Sequence, residues 1–425
     1  MTPTSHPGLD GYARGDSSFA TGLRPQDAVA LPLREVLETL TRRYGEAVTI
    51  ALSHDAVDLQ RPLSDIPDVV RSPRAGETDS SWLRRTNMVG VNVRTVRDYG
   101  GVIKYALTLP AAFDSVQLLP VWEPGVVESL YGIAGWNLNR EFFSDELYRY
   151  APNLDSIEKQ LRATSNLLHL MGKTVGMDVI PHTDRFSEPA LCTPDLFEWM
   201  RVIDRRIVDH SDRLVDDVEE AIHLWLTERG TADGRPLPGD RAALFALDET
   251  DRLARLFGDV DDLYGRIDRR VDLIKHLQRS GLEPVPATMG VPFRGIEVDP
   301  DPSHVVVDGH GMEWPDLVIA EPQSMSRVFS PLARFKLYES LDDGASWEID
   351  FGRPRRAVWD YLCRHYAATQ HIGNFDFMRG DMSHVQMRLH GVPDVVDEYY
   401  DIHAAVKTYI QRTAPAPWFA YFAES

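Results

Sequence analysis

The sequence predicts an α/β fold of the (β/α)8 TIM-barrel type, incomplete in this chain and interrupted by a large, mainly helical insertion. Three observations predict it. Short Val-, Ile- and Leu-rich runs recur near residues 88, 115, 175, 375 and 418. Stretches of helical period lie between them. The runs lack the clean alternation of half-buried strands, as parallel strands covered on both faces do.

The elements follow in order. Residues 1–30 are rich in Gly, Ser, Pro and Thr and read as a draped arm. LREVLETLTRRY, 33–44, has helical spacing, and 63–82 reads as a long polar connection. MVGVNVRTV from 88 and DSVQLLPVW at 114–122 read as strands, with the segment around GGVIKYALTLPAAF as the crossover helix. LDSIEKQLRATSNLLHLMG, 154–172, is an amphipathic helix ended by Gly172, and KTVGMDVIPH, 173–182, is a third strand. The pattern breaks over 187–350, where helices are predicted near 194–209, 214–228 and 254–278. It resumes with a helix at 357–368, a strand at 374–381, a helix at 396–412 and a strand at 418–425. The predicted units are an N-terminal arm and helical segment at 1–85, strands one to three at 86–186, an inserted region or lid at 187–352, and strands four and five at 353–425. A five-stranded parallel sheet would leave open edges, so a continuation of the chain or a partner chain is expected to complete the barrel.

Composition narrows the function. The 425 residues carry a formal charge of −20, which argues against nucleic acid or an anionic membrane as the partner. Hydrophobic residues at 43% and charged residues at 26% are ordinary for a soluble protein, and a cytoplasmic location is the simplest expectation. Neither a signal-peptide run nor an 18-residue apolar stretch is found. Cys192 and Cys363 are read as isolated thiols.

Polar residues stand where the predicted strands end, the position at which barrel loops converge. They are Asp178 with His182 and Thr183, Arg379 with Asp381 and His384, and Glu424. Asp381 and Glu424 lie 43 residues apart on consecutive strand ends, so both can face one mouth. Two such carboxyl groups are what retaining glycoside chemistry needs. Arg379, two residues before Asp381, can share its strand face and keep the carboxylate ionised.

In their order these motifs resemble the α-amylase superfamily of glycoside hydrolases and transglycosylases (glycoside hydrolase family 13). The Tyr-Gly pair that the family carries after strand two is similar to SLYGIAGW, 129–136. The resemblance implies that Tyr131 stacks on the sugar, with Trp136 as its neighbour. The family's Asp-Val-Val-x-Asn-His corresponds to DVIPHT, 178–183. Asp178 matches, while the Asn and His positions fall on His182 and Thr183. The family's Asp-Gly-Phe-Arg-x-Asp corresponds to DFMRGD, 376–381, with Phe377 in place of the glycine. The resemblance therefore implies Asp381 as nucleophile, Arg379 as its partner and Glu424 as acid/base. Tyr131, Trp136, Asp178, His182 and His384 would be substrate-binding. The family's histidine four residues past the nucleophile is Val385 here, and its later His-Asp motif is absent. No cofactor is predicted: calcium is the one the family raises, and its Asn ligand is replaced here.

The implied function is a glycosidase or transglycosylase acting on α-glucosidic bonds of an oligosaccharide or α-glucan. Two alternatives stand beside it. One is a non-catalytic carbohydrate-binding or scaffold relative. The other is an unrelated barrel with a metal on Asp178, His182 and Asp381. Glu321 is a further acidic candidate, and His304, Asp308 and His310 read as a polar loop before a metal site.

Overall fold

The computed structural model describes residues 6–67, 70–125, 129–289, 295–308, 310–320, 327–344, 346–381 and 397–423. Its centre is a five-stranded sheet, every neighbouring pair of which is parallel. The strands are β1 (Met88–Val91), β2 (Ser115–Leu118), β3 (Thr174–Val179), β4 (Phe377–Gly380) and β5 (Ala420–Ala423). Their spatial order is their chain order. A doubly wound sheet reverses order part-way; this one does not, as in the wall of a barrel. Among the described residues the sheet does not close, and β1 and β5 are its edges.

After each of the first four strands one helix joins the core of the sheet: α1 (Tyr99–Ala106), α2 (Ile157–Leu170), α3 (Arg356–Gly373) and α4 (Ile402–Thr413). Each packs on the next, α1 on α2, α2 on α3 and α3 on α4. Right-handed crossovers in a sheet of unreversed order place all helices on one face. The sheet residues turned to them are Val91, Val116, Leu118, Val175, Met177, Val179 and Met378, all buried in one continuous core. Full burial of one such side chain contributes about 1.5–3 kcal/mol. Asp98, Ser156 and Asp401 cap three of the helices, accepting from the backbone N–H of Gly101, Lys159 and His403.

The opposite face is different. Register places Gly90, Gln117, Gly176, Phe377 and Ala420 in one row, and Asp178, Arg379 and Phe422 in the next. Phe377 lies flat on Gly176, where a Cβ would meet its ring at 2.4 Å. Trp82, from the 3-10 turn Ser80–Arg85, fills the lower end of this face against Phe377 and Ala420. Its indole N–H donates to the Trp418 carbonyl at 2.7 Å.

Several expectations are corrected. Residues 6–30 are not the draped arm expected. They form helices Pro7–Arg14 and Pro25–Ala30, each with proline in its first turn. Leu9, Tyr12, Leu23 and Ala28 pack in one buried cluster with Ile103 and Leu167 of α1 and α2. Residues 194–209 are not a helix. Apart from a 3-10 turn at Pro194–Leu196, they form the hairpin Trp199–Ile203 and Arg206–Asp209, closed by Asp204 and Arg205 with φ of 46° and 60°. Two successive positive φ values are the tight hairpin geometry, here without the glycine that advertises it. The helix expected at 254–278 is two, Glu249–Phe257 and Leu263–Arg279, broken at Gly258 with φ 90°. The insertion also holds short antiparallel sheets. In one, Pro286–Met289 pairs with Arg327–Arg334, which pairs with His182–Asp184. None of these strands joins the parallel sheet. Both cysteines are buried free thiols. No described helix is long and apolar enough to cross a membrane.

Gly176→Ala is expected to lose about 1–3 kcal/mol, because the methyl has no space beneath Phe377; urea unfolding of the two proteins measures it, and equal midpoints would show that the ring can move aside. A second prediction concerns His403 of α4, which lies 2.6 Å from the place a Gly380 Cβ would take and shares a 2.8 Å hydrogen bond with the Tyr421 hydroxyl. Burial pulls its imidazolium down to about 4, opposed by Asp401. The unfolded chain therefore takes up the proton first. The stability His403 contributes is complete above about pH 6.5 and falls as pH drops towards 4, at up to about 1.4 kcal/mol per pH unit. His403→Leu should flatten that part of the stability profile between pH 6.5 and 4.5.

Candidate active site

The ends of β3 and β4 carry the polar group. Arg379 pairs in register with Asp178, so both side chains rise from the same face. One guanidinium nitrogen donates to both Asp178 oxygens, at 3.0 and 2.8 Å. The Tyr131 hydroxyl donates to Asp178 Oδ2 at 2.7 Å. Asp178 is only 2% exposed, so these bonds satisfy a carboxylate that water scarcely reaches. Burial raises the Tyr131 phenol above its ordinary range, and the Asp178 hydrogen bond adds to the shift. The phenol therefore stays protonated and a donor.

Asp381 follows β4 directly, and its backbone N–H donates to the Val179 carbonyl at 2.8 Å. Its carboxylate lies 3.7 Å from the same Arg379 nitrogen. Arg379 thus stands between two carboxylates and holds Asp178 more closely than Asp381. The sequence expectation named only the second partner. The Asp381 side chain is 21% exposed and Asp178 is sealed, so of the two Asp381 has more access to solvent.

The remaining predicted residues separate. Tyr131 packs against Ile180 and Leu332 near this group. His182 is buried on the strand that leaves β3, with its backbone paired to Arg334. Thr183 bonds the Ser187 hydroxyl at 2.9 Å, in the turn that follows. Trp136, expected beside Tyr131, is corrected: its ring stacks on His365 at 4.6 Å, and its N–H donates to the Tyr361 hydroxyl at 2.9 Å. Trp122 and Tyr366 take its edges, so packing at α3 occupies the ring. Tyr361 and His365 in turn hold Glu249 of the insertion, at 2.6 and 3.1 Å. Asp376, the first position of the DFMRGD match, lies below the site. It accepts from Val175 N at 2.7 Å and shares a 3.0 Å contact with His169. His384, Glu321 and Glu424 lie outside the described residues.

Among the described residues, no group of three or more His, Cys, Asp or Glu is gathered for a metal. Asp308 accepts from the backbone N–H groups of His310 and Met312 and from the Trp314 indole, and orders its own loop. His304 is taken up by Asp299 at 2.8 Å.

Sequence reasoning missed one cluster. Glu123, Glu188, Arg266 and Arg270 are all buried where the segment after β2 meets the helix Leu263–Arg279. The only advance signal was the helical i,i+4 spacing of the two arginines.

Among solved structures the chain is similar to trehalose-6-phosphate hydrolase of Bacillus licheniformis, at 10% identity and a TM-score of 0.32, over 80% of this chain and 44% of that one. It is also similar to a family GH13_31 enzyme, at 11% identity and a TM-score of 0.30, over 81% of this chain and 47% of that one. The chain spans less than half the length of these proteins. No family profile and no curated protein matches its sequence. A likeness of this size carries no functional argument, and the site is read from its own geometry.

Removing one member of the pair tests that geometry. Arg379→Met leaves Asp178 buried without its cation and is expected to cost about 3–5 kcal/mol. Arg379→Met combined with Asp178→Asn should cost less than Arg379→Met alone, a coupling that a double-mutant cycle in urea detects. Strict additivity would show that the two groups do not depend on each other.

Proposed function

We propose that the chain acts on α-glucosidic bonds by a retaining mechanism, as a glycosidase or transglycosylase. The observation that carries this reading is the placement of Arg379 between Asp178 and Asp381 at the C-terminal ends of two adjacent parallel strands. Active sites of barrel walls form at that end, where side chains of neighbouring strands converge.

Asp381 is the nucleophile. Its carboxylate attacks the anomeric carbon as the glycosidic C–O bond breaks, and the bond's electron pair leaves with the departing oxygen. Glu424 gives that oxygen its proton. It then takes one from water or an acceptor hydroxyl, which displaces Asp381. In sequence Glu424 follows Ala423 as Asp381 follows Gly380, and Gly380 and Ala423 are register partners. Arg379 orients Asp381 and balances its charge. Asp178, held by Tyr131, fixes Arg379 in turn. Water or an acceptor sugar at the second step separates hydrolysis from transfer.

The test uses maltooligosaccharides and a 2-deoxy-2-fluoro-α-glucosyl fluoride. Turnover with retention is expected, and Asp381→Asn should lower kcat by at least about a thousandfold. Peptide mapping of the trapped protein should place a fluoroglucosyl ester on Asp381. Maltooligosaccharide binding with neither turnover nor adduct would overturn the enzyme and leave the carbohydrate-binding alternative.

A further inference from the structure

A cavity of about 230 Å³ lies between the segment after β2 and the helix Leu263–Arg279. It shares no lining residue with the group of Asp178, Arg379, Asp381 and Tyr131. Four arginines line it, and three have obvious partners. Arg94 donates to Glu141 at 2.7 Å. Arg140 donates to Asp261 at 2.5 Å and to the Val260 carbonyl at 2.8 Å. Arg266 bonds Glu188 and stands 3.5 Å from Glu123.

Arg270 is the exception. One turn beyond Arg266 on the same helix, it shares that residue's face. It is 4% exposed, and among the described residues its Nε has no hydrogen-bond partner. Glu123 lines the same cavity; it is 5% exposed, and among the described residues its Oε1 also has no hydrogen-bond partner. Burial pushes the Glu123 carboxyl up, against the pull of Arg266. The two groups feel each other's charge without bonding. A buried guanidinium without a hydrogen-bonded counter-charge is unfavourable. The surroundings do not relieve it, although Arg266 one turn away has two carboxylates. A cavity this size exceeds the roughly 30 Å³ share of one water several-fold. A planar fork of donors facing such a space is suited to an oxyanion. The Glu123 carboxylate in the same lining is an acceptor suited to a hydroxyl.

We propose that this cavity binds a small oxyanion, phosphate or carboxylate, carried by a hydroxyl-bearing molecule. Arg270 takes the anion and Glu123 takes the hydroxyl. The site is separate from the α-glucoside reading and stands or falls without it.

Calorimetric titration and thermal unfolding of the full chain test it, using glycerol 3-phosphate, glycerate and neutral glycerol at one ionic strength held with sodium chloride. One or both anions should bind and raise Tm, and glycerol should not. The stronger of the two identifies phosphate or carboxylate as the group recognised. Arg270→Met should weaken binding at least tenfold and remove the Tm rise. Without ligand it should be at least as stable as the parent, since a buried unpaired cation is gone; a purely structural arginine would give the opposite. Arg270→Gln serves if the methionine variant does not fold. Absence of binding by either anion to the parent protein overturns the proposal. So does a Tm rise that survives in the Arg270 variant, or one that glycerol reproduces.

Discussion

The ion pair between Arg379 and Asp178 is the constraint around which this molecule is arranged. A parallel sheet with helices on one face normally buries apolar side chains on both. Here the helix-facing side obeys that rule, with Val175, Met177, Val179 and Met378 in the core. The other side places a carboxylate on β3 directly opposite a guanidinium on β4. Either charge alone would be intolerable at that depth. Together, with the Tyr131 hydroxyl completing the coordination, they are a satisfied unit. The strand end delivers Asp381 to a guanidinium already fixed.

This places demands on the surroundings. Phe377 and Trp82 close the sheet face beneath the pair. Above it, β3 runs within three residues into the strand His182–Asp184, which pairs with Arg327–Arg334. The insertion is thereby joined to the strand that carries Asp178. Buried charge fastens the joint further: Arg185 is bonded to Glu283 at 2.5 Å and Arg334 to Glu198. Buried pairs of this kind contribute little net stability, but breaking one is costly. Their effect is to admit one arrangement of the insertion over the sheet and to exclude others.

The parallel sheet was legible in the sequence because each strand is a short apolar run bounded by turn residues. All five were placed, and the helix at 33–44 was read to the residue. The wrong readings share a cause. WMRVI and RIVD have apolar residues that fit a helical period almost as well as a strand, and Asp204 and Arg205 close the hairpin without a glycine. The N-terminal segment looked loose by composition, yet its few apolar residues, Leu9, Tyr12 and Leu23, all point into one cluster. Tertiary partners that far away leave no local trace. In the site, the proximity of Arg379 to Asp381 followed from strand period. The stronger bond to Asp178 is a contact across 201 residues that only register reveals. Trp136 failed for a related reason: an aromatic near a site motif carries no sign of which ring it will stack on.

Two arginines with little access to water, Arg379 half-buried and Arg270 buried, are treated differently by the fold. Arg379 and Arg270 are both inward-facing and both close to carboxylates. Arg379 meets Asp178 at hydrogen-bond distance, and its geometry is explained by the protein alone. Arg270 and Glu123 line one cavity, and among the described residues each keeps a buried polar atom without a hydrogen-bond partner. The same desolvation argument therefore gives opposite conclusions. Where donors and acceptors close on each other, buried charge builds the scaffold. Where they are held apart around a cavity, the protein alone does not account for it, and the missing partner is a ligand.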